Sequence, residues 1–397
     1  MAAPPQPLAG VRVIDLGQIY QGPYATLLMA LAGAEVVKVE PVAGERLRGL
    51  AAGAPGMSFA MLNSNKKSIT LDLKRSRGGE LLIELVKHGD VLLENFAPGV
   101  MERLGVGAEV LRAANPRLIY ASGTGFGLTG PDRDQLAMDH TIQAVSGMMS
   151  VTGTPDGPPL RAGGAVADIL AGVHLYGAVV TALLGRERTG EGALVEVAMQ
   201  ESMYFTYCTL YNAFHRTGRV PGRSGNQPAG RASAPYNVYP TTDGHIAIIC
   251  VTEEHWTRLL DLMGRRDLAN DPRFATRADR GKHAEQVDQV IADWSKGVTR
   301  AEAERLARQH RIPLAPVRDL DEVRNDRHMH ERGMLRWVEH RDMGRVVLPN
   351  SPLRFPDVGQ LPLEPFPRLG EHNAEIYGGL LGLSGDDLSA LAEEGVI

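Results

Sequence analysis

The sequence predicts an α/β fold: a large domain built on a parallel, doubly wound sheet, followed by a smaller α+β domain. Three observations carry this. Strand and helix patterns alternate through the first 125 residues. The strands are short apolar runs, as expected where both faces of a sheet are covered. At residue 236 the pattern changes to a hairpin followed by polar helices.

The elements follow in order. VRVIDL (11–16) reads as a buried strand, and GQIYQGP leads into the short apolar helix ATLLMALAG. Pro23 suits a first helical turn and Gly33 a C-terminal cap. AEVVKVE (34–40) is the next strand and completes a β-α-β unit, which implies parallel pairing. SITLDL (68–73) is a strand, GGELLIELVKHG (78–89) a helix stopped by glycine, DVLLENF (90–96) a strand, and RLIYAS (117–122) another after a short helix around 106–114. A Gly- and Pro-rich stretch, 152–164, precedes the strongly apolar helix ILAGVHLYGAVVTALLG (169–185), the strand ALVEVAM (193–199) and a helix over 200–215. Residues 216–235 lack periodicity and read as a linker. YNVYPTTDGHIAIIC is a hairpin with Asp243-Gly244 at its turn. Polar helices run to about 311, short strands occupy 335–355, and 372–394 form a helical tail. The division is therefore 1–215 for the first part of the large domain, 216–235 for a linker and 236–325 for the small domain. Residues 326–397 are the return and the C-terminal part of the large domain.

Composition sets outer bounds. A chain of 397 residues suggests two or three structural units, and 43% hydrophobic residues suffice for a full core. The net charge of −5 argues against a general nucleic-acid or membrane-surface role. No run approaches the roughly 18 consecutive apolar residues of a membrane span. MAAPPQPLAG has neither the basic start nor the apolar run of a signal peptide. Cys208 and Cys250 are too few for a disulfide framework and are expected as buried thiols. A soluble cytoplasmic protein without nucleic-acid or membrane partners is expected.

Several motifs can be set aside. Gly125-Phe126-Gly127-Leu128-Thr129-Gly130 matches G-x-G-x-x-G after a strand, but Pro131 and DRDQ follow where a dinucleotide fingerprint must open a helix. The first β-α turn, GQIYQG, does not match it. No phosphate-cradling loop and no G-x-S-x-G elbow is present. His328 and His330 lack a third ligand nearby, so no metal is expected. Two features remain. Residues 65–77 carry Lys66, Lys67, Lys74, Arg75 and Arg77 against Asp72, with Arg103 further on. Such a cluster reads either as a polyphosphate site or as a solvated surface. Asp168 stands at the start of the most apolar helix. It reads as a helix cap or as a carboxylate held and kept ionised by the helix end, and the two are compatible.

At these residues the chain resembles the class III CoA-transferases, a family that includes formyl-CoA transferases and the α-methylacyl-CoA racemases. The likeness runs through LAGVRVIDLGQIYQGPYATLLMALAGAEVVKVEP (8–41), NSNKKSITLDLK (63–74), VLLENFAPGVMERLG (91–105) and NPRLIYASGTGFGLTGP (115–131). It continues through QAVSGMMSVTG (143–153), the Asp168 segment, TGEGALVEVAMQES (189–202), IPLAPV (312–317), SPLRF (351–355) and LGEHNAEI (369–376). The resemblance implies a Rossmann-like large domain, a smaller domain from the middle of the chain, and an interlocked-ring homodimer. It implies that Asp168 is the nucleophile. It further implies that coenzyme A, as a thioester co-substrate, is touched by Tyr20, Gln21, Leu71, Lys74, Asn95, Phe96, Ala97 and Arg103, the basic cluster holding its phosphates.

The chain departs from the family in two places. Racemase members carry Gly-His-Asp where this chain reads Ala137-Met138-Asp139, and many transferases carry tyrosine at the Met138 position. Met138 moves no proton and His140 is out of register, which argues against racemisation. The tetraglycine loop of formyl-CoA transferases is absent, which counts against formyl or oxalate specificity. The reading is transfer of CoA between an acyl-CoA and a carboxylic acid through an aspartyl-acyl anhydride and an aspartyl-CoA thioester at Asp168. Its alternatives are epimerisation of a 2-methylacyl-CoA, intramolecular CoA transfer within a dicarboxylic acid, and a CoA-binding protein with a degenerate site. At its reference pKa of about 3.9, Asp168 is expected to be ionised at neutral pH. Arg219, Arg223 and Arg231, in the linker, read as a site for a second carboxylate or as solvated residues.

Overall fold

Apolar runs flanked by polar turns become six strands: β1 (Arg12–Asp15), β2 (Glu35–Glu40), β3 (Lys67–Thr70), β4 (Val91–Glu94), β5 (Ile119–Thr124) and β6 (Leu194–Ala198). All pair in parallel, in the order β3-β2-β1-β4-β5-β6. This is the doubly wound order, in which the direction of winding reverses between β1 and β4. The computed structural model describes residues 4–49, 56–228 and 233–397.

The helices between the strands are α1 (Gln21–Leu31), α2 (Met57–Asn63), α3 (Ser76–Val86), α4 (Val100–Arg103), α5 (Ala108–Ala114), α6 (Asp139–Val145), the single turn α7 (Met148–Val151) and α8 (Val166–Thr189). One face of the sheet packs Leu81, Leu82 and Leu85 of α3 and Leu111 of α5 against Ile14, Val37, Ile69 and Leu92. The C-terminal residues Ile376, Tyr377, Leu391, Val396 and Ile397 complete this face. The other face packs Ala25 and Met29 of α1 and Leu175, Val179 and Leu183 of α8 against Val13, Val91, Ile119 and Ala121. Residues along the central strands thus point alternately into one and the other of these two apolar layers.

The chain divides into two compact units. The first comprises 1–146, 163–205 and 326–397, and the second 147–162 and 206–325. The second unit thus takes in 147–162 and begins at Thr206, so the whole stretch 216–235 read as a linker lies inside it. In it, β7 (Tyr236–Thr241), β8 (Gly244–Ile249) and β9 (Leu314–Pro316) form an antiparallel sheet. Trp256, Leu259, Val287, Ile291 and Ala303, from the helical segments 253–263, 284–295 and 300–310, pack on Tyr239, Ile246 and Ile248.

Several boundaries differ from the sequence reading. The hairpin closes on the pair Thr241↔Gly244, so Thr242-Asp243 form the loop and Gly244 lies one position beyond it. Strand β9 was not foreseen, because three residues carry no periodicity. Cys250 is buried, whereas Cys208 is exposed. Helix α8 begins three residues before the predicted start and runs 24 residues. Among the described residues it is the one helix long and apolar enough to cross a bilayer, with a mean hydropathy of 1.7 over 18 residues. This sits beside the absence of an unbroken apolar run, because a window of mixed apolar and small residues reaches that mean where an unbroken run is not present.

Candidate active site

Where a doubly wound sheet reverses its winding, the loops at the carboxyl ends of the two central strands part and leave a crevice. Here those loops follow β1 and β4. The β1 loop turns sharply: Ile19 is held at φ +64°, a strained conformation for a β-branched residue. Asn95, just past β4, braces this turn. Its Oδ1 accepts from the Gln18 amide at 2.7 Å and its Nδ2 donates to the Gln18 carbonyl at 2.9 Å. Gly22 is required beneath, since a Cβ there would lie 2.8 Å from Gly17 Cα. Tyr20 and Gln21 therefore stand at the start of α1, directly over the switch point.

Asp168 approaches from α8. Gly172, one turn further along and so on the same face, abuts α1, since a Cβ there would lie 2.8 Å from the Gln21 carbonyl. The N-terminal ends of α1 and α8 are thereby brought together. Asp168 is the third helical residue after the cap Ala165, so it does not itself cap the helix. That role falls to Asp139, in the first turn of α6. Its Oδ1 accepts from the amides of Ala167 at 2.8 Å and Asp168 at 3.4 Å, and its Oδ2 accepts from Gln143 Nε2 at 2.7 Å. Asp168 is only 7% exposed. Burial, with the Asp139 charge second, pushes its carboxyl up to about 7. The expectation of an ordinary, fully ionised aspartate is thus corrected: the helix-end amides that would have lowered it are taken by another carboxylate.

The remaining predicted residues divide. Phe96 is half-buried and donates its amide to Glu94 Oε2 at 2.8 Å, while Ala97 is exposed. Leu71 follows β3, about 10 Å from β1 by two inter-strand spacings; its side chain is core, leaving only its main chain for any contact. Lys74 and Arg103 are exposed and, among the described residues, neither has a carboxylate partner. The rest of the basic cluster disperses. Lys66 is buried against Asp15 at 3.0 Å. Lys67, at the opposite end of the sheet, pairs with Glu35 and Glu375. Arg75 pairs with Asp72 and Arg77 with Glu80. Of the linker arginines, Arg223 donates to the carbonyls of Thr154 and Gly157 within its own unit, Arg219 is exposed, and Arg231 lies outside the described residues. Of the cluster, Lys74 and Arg103 are thus the two cations without a carboxylate partner among the described residues.

Three features escaped the sequence reading. Asp139 stood in view beside Met138, but its partner α8 is 28 residues away. The Asp15–Lys66 pair was hidden because its members lie 51 residues apart. Glu94, ending an apolar strand, is pushed up to about 7 by burial. The glycine motif at 125–130 opens no helix. Its first glycine makes room for Ala137, whose Cβ would lie 2.0 Å from a Cβ at position 125.

Comparison with known proteins agrees along the whole chain. The model of CoA-transferase family III matches residues 8–373. A formyl-CoA:oxalate CoA-transferase of Streptomyces avermitilis is 36% identical over 98% of this chain and 99% of its own. A succinyl-CoA–D-citramalate CoA-transferase of Chloroflexus aurantiacus is 36% identical over 99% of both. The crystal structure of a CAIB/BAIF family protein from Brucella suis superposes with a TM-score of 0.85 at 32% identity, covering 95% of this chain and 100% of that one. A reversing parallel sheet, a buried carboxylate at its crevice and this likeness together identify the chain as a member of CoA-transferase family III, enzymes that work on CoA thioesters.

Proposed function

We propose that this enzyme moves CoA from an acyl-CoA to a free carboxylic acid, with Asp168 as nucleophile. The observation that carries this is a carboxylate that is buried and, among the described residues, accepts no hydrogen bond. A carboxylate of raised pKa is more nucleophilic than an ordinary one, and at neutral pH a substantial fraction remains ionised without a general base.

An Asp168 oxygen attacks the thioester carbonyl carbon, the C–S bond breaks, and the thiolate leaves, giving an aspartyl-acyl anhydride. The thiolate attacks the aspartyl carbonyl and releases the donor carboxylate, leaving an aspartyl-CoA thioester. The acceptor carboxylate displaces the thiolate to form a second anhydride. The thiolate attacks the new acyl carbonyl, releasing the product acyl-CoA and the Asp168 carboxylate. Every step exchanges one activated acyl bond for another, so no ATP is consumed. Burial protects the anhydrides from water. Lys74 and Arg103 hold the phosphates, and Tyr20, Gln21, Asn95, Phe96, Ala97 and the Leu71 main chain shape the crevice. The citramalate and glutarate in the relatives' names support a short dicarboxylic acid as acceptor. We also propose that the protein is a cytoplasmic homodimer. Phe205 at 75% and Val220 at 78% exposure are apolar surfaces suited to a second copy, and a monomer in light scattering would refute it.

The deciding experiment incubates the enzyme with a panel of acyl-CoAs and carboxylic acids in deuterated water, followed by mass spectrometry. New acyl-CoAs without α-deuterium, lost in Asp168→Ala with CoA binding preserved, support transfer at Asp168. Deuterium in an unchanged acyl-CoA would mean epimerisation instead, a reaction for which Met138, half-exposed at the start of α6, supplies no proton.

A further inference from the structure

An aspartate in the third position of a helix ordinarily reaches back to the free amides of the first turn. Asp168 occupies that position in α8, and the cap residue, Ala165, has no side-chain acceptor to compete with it. Left alone, such a helix end would tie up the Asp168 oxygens in its own capping bonds. The structure supplies a different acceptor. Asp139 takes the Ala167 amide at 2.8 Å and the Asp168 amide at 3.4 Å on one oxygen. Its other oxygen is held at 2.7 Å by Gln143, a fully buried side chain that also donates to the Gly164 carbonyl at 3.3 Å. Gly125 lets Ala137 seat closely, which fixes where the 137–139 segment delivers Asp139.

We propose that Asp139 is a positioning residue for this reaction: by capping α8 in place of Asp168, it fixes the helix end and leaves both Asp168 oxygens unpaired for attack. This rests on the reading of Asp168 as the nucleophile. Asp139 touches no reacting atom, and Gln143 holds it in turn. A second consequence is electrostatic. The negative charge of Asp139 adds to burial in raising the Asp168 carboxyl. The other titratable groups on elements packed against α8 are Tyr24 on α1, His140 on α6, Tyr120 on β5, whose side chain lies in the core of the opposite sheet face, Glu196 on β6 and Glu201 in the helical turn 199–203; none of them contributes to this shift. Strand β5 presents Ile119 and Ala121 to α8, which carry no charge.

The test uses the full-length enzyme and three variants. Asp139→Asn keeps a carbonyl oxygen for the amides and removes the charge. Asp168 must be ionised to attack, so activity rises with pH through its pKa; without the Asp139 charge, the acid limb of kcat/KM should move down by about one pH unit or more, with the KM for acyl-CoA within about two-fold. Asp139→Ala removes the cap. Its kcat should fall by about 10²-fold, while CoA affinity by calorimetry stays within about three-fold. Asp168→Ala separates this proposal from the one beneath it. If Asp168→Ala is inactive while Asp139→Ala keeps wild-type kcat and Asp139→Asn keeps the wild-type pH profile, the role given to Asp139 is wrong and the nucleophile stands. If Asp168→Ala still transfers CoA, the nucleophile itself is wrong. Should Asp139→Ala fail to fold, the pH profile of Asp139→Asn decides alone.

Discussion

Two aspartates are buried in the first unit, and they are treated in opposite ways. Asp15, ending β1, is fully compensated. Its Oδ1 accepts the Gly17 amide at 2.8 Å, and its Oδ2 accepts Thr26 Oγ1 at 2.7 Å and Lys66 Nζ at 3.0 Å. Burial pushes its carboxyl up, yet the Lys66 and Lys38 charges and these bonds outweigh it and leave it below the ordinary range. Lys66 is itself saturated by Asp15, Pro23, Thr26 and Asn63. Asp168 has burial and a like charge and, among the described residues, neither a cation nor a donor. The first carboxylate is inert scaffolding under the β1–α1 turn. The second is costly to the fold, and in the proposed mechanism that cost is what makes it reactive. Burial alone does not leave a carboxyl raised; burial left uncompensated does.

The comparison is broken most strongly at Asp15. Lys66→Met removes the cation and strands a buried aspartate, which should destabilise the protein by about 3–5 kcal/mol in denaturant unfolding. A loss under about 1 kcal/mol would mean that Thr26 and the Gly17 amide suffice alone. Next comes Asp168→Asn, which should abolish transfer yet stabilise the fold at high pH. The folded carboxyl lies at about 7 against an ordinary 3.8, so the folded state binds a proton more tightly than the unfolded one. Wild-type stability therefore falls as pH rises from about 4 through 7. Each tenfold difference in proton affinity between the two states is worth roughly 1.4 kcal/mol, so Asp168→Asn should gain about 2–4 kcal/mol over wild type at pH 8 and almost nothing at pH 4. Equal stabilities at both pH values would remove the contrast with Asp15. The smallest effects lie in the basic cluster. Lys74→Ala and Arg103→Ala should each raise the KM for acyl-CoA by roughly ten-fold and weaken its salt dependence, whereas Lys67→Ala should leave KM within about two-fold. An equal response from Lys67 would show that the phosphates lie elsewhere.

Much of the frame was legible in the residues. The alternation of VRVIDL, AEVVKVE and VLLENF with apolar helices marked a parallel sheet, because strands covered on both faces need continuous apolar runs. Asp168 was legible as a helix-end carboxylate next to small residues. Its electrostatic state was not: an isolated N-terminal turn predicts a lowered pKa, and the reversal comes from Asp139, which reaches α8 only once α6 is packed beside it. The basic cluster misled for a related reason. Lys66 and Lys67 are neighbours in sequence, but in this chain one enters the core to meet Asp15 and the other turns to Glu35 and Glu375 at the far end of the sheet.

By itself, then, the sequence determined the alternation of strands and helices in the parallel sheet and the identity of the residues at its strand ends, because hydrophobic period and turn chemistry act over a few residues; the short elements over 57–63, 139–145 and 314–316 were not legible. The tertiary structure alone decided which charges meet. Coulomb interaction and desolvation depend on distance through folded space, so the pairing of Asp15 with Lys66 and the meeting of Asp139 with the Asp168 helix exist only after the sheet has closed.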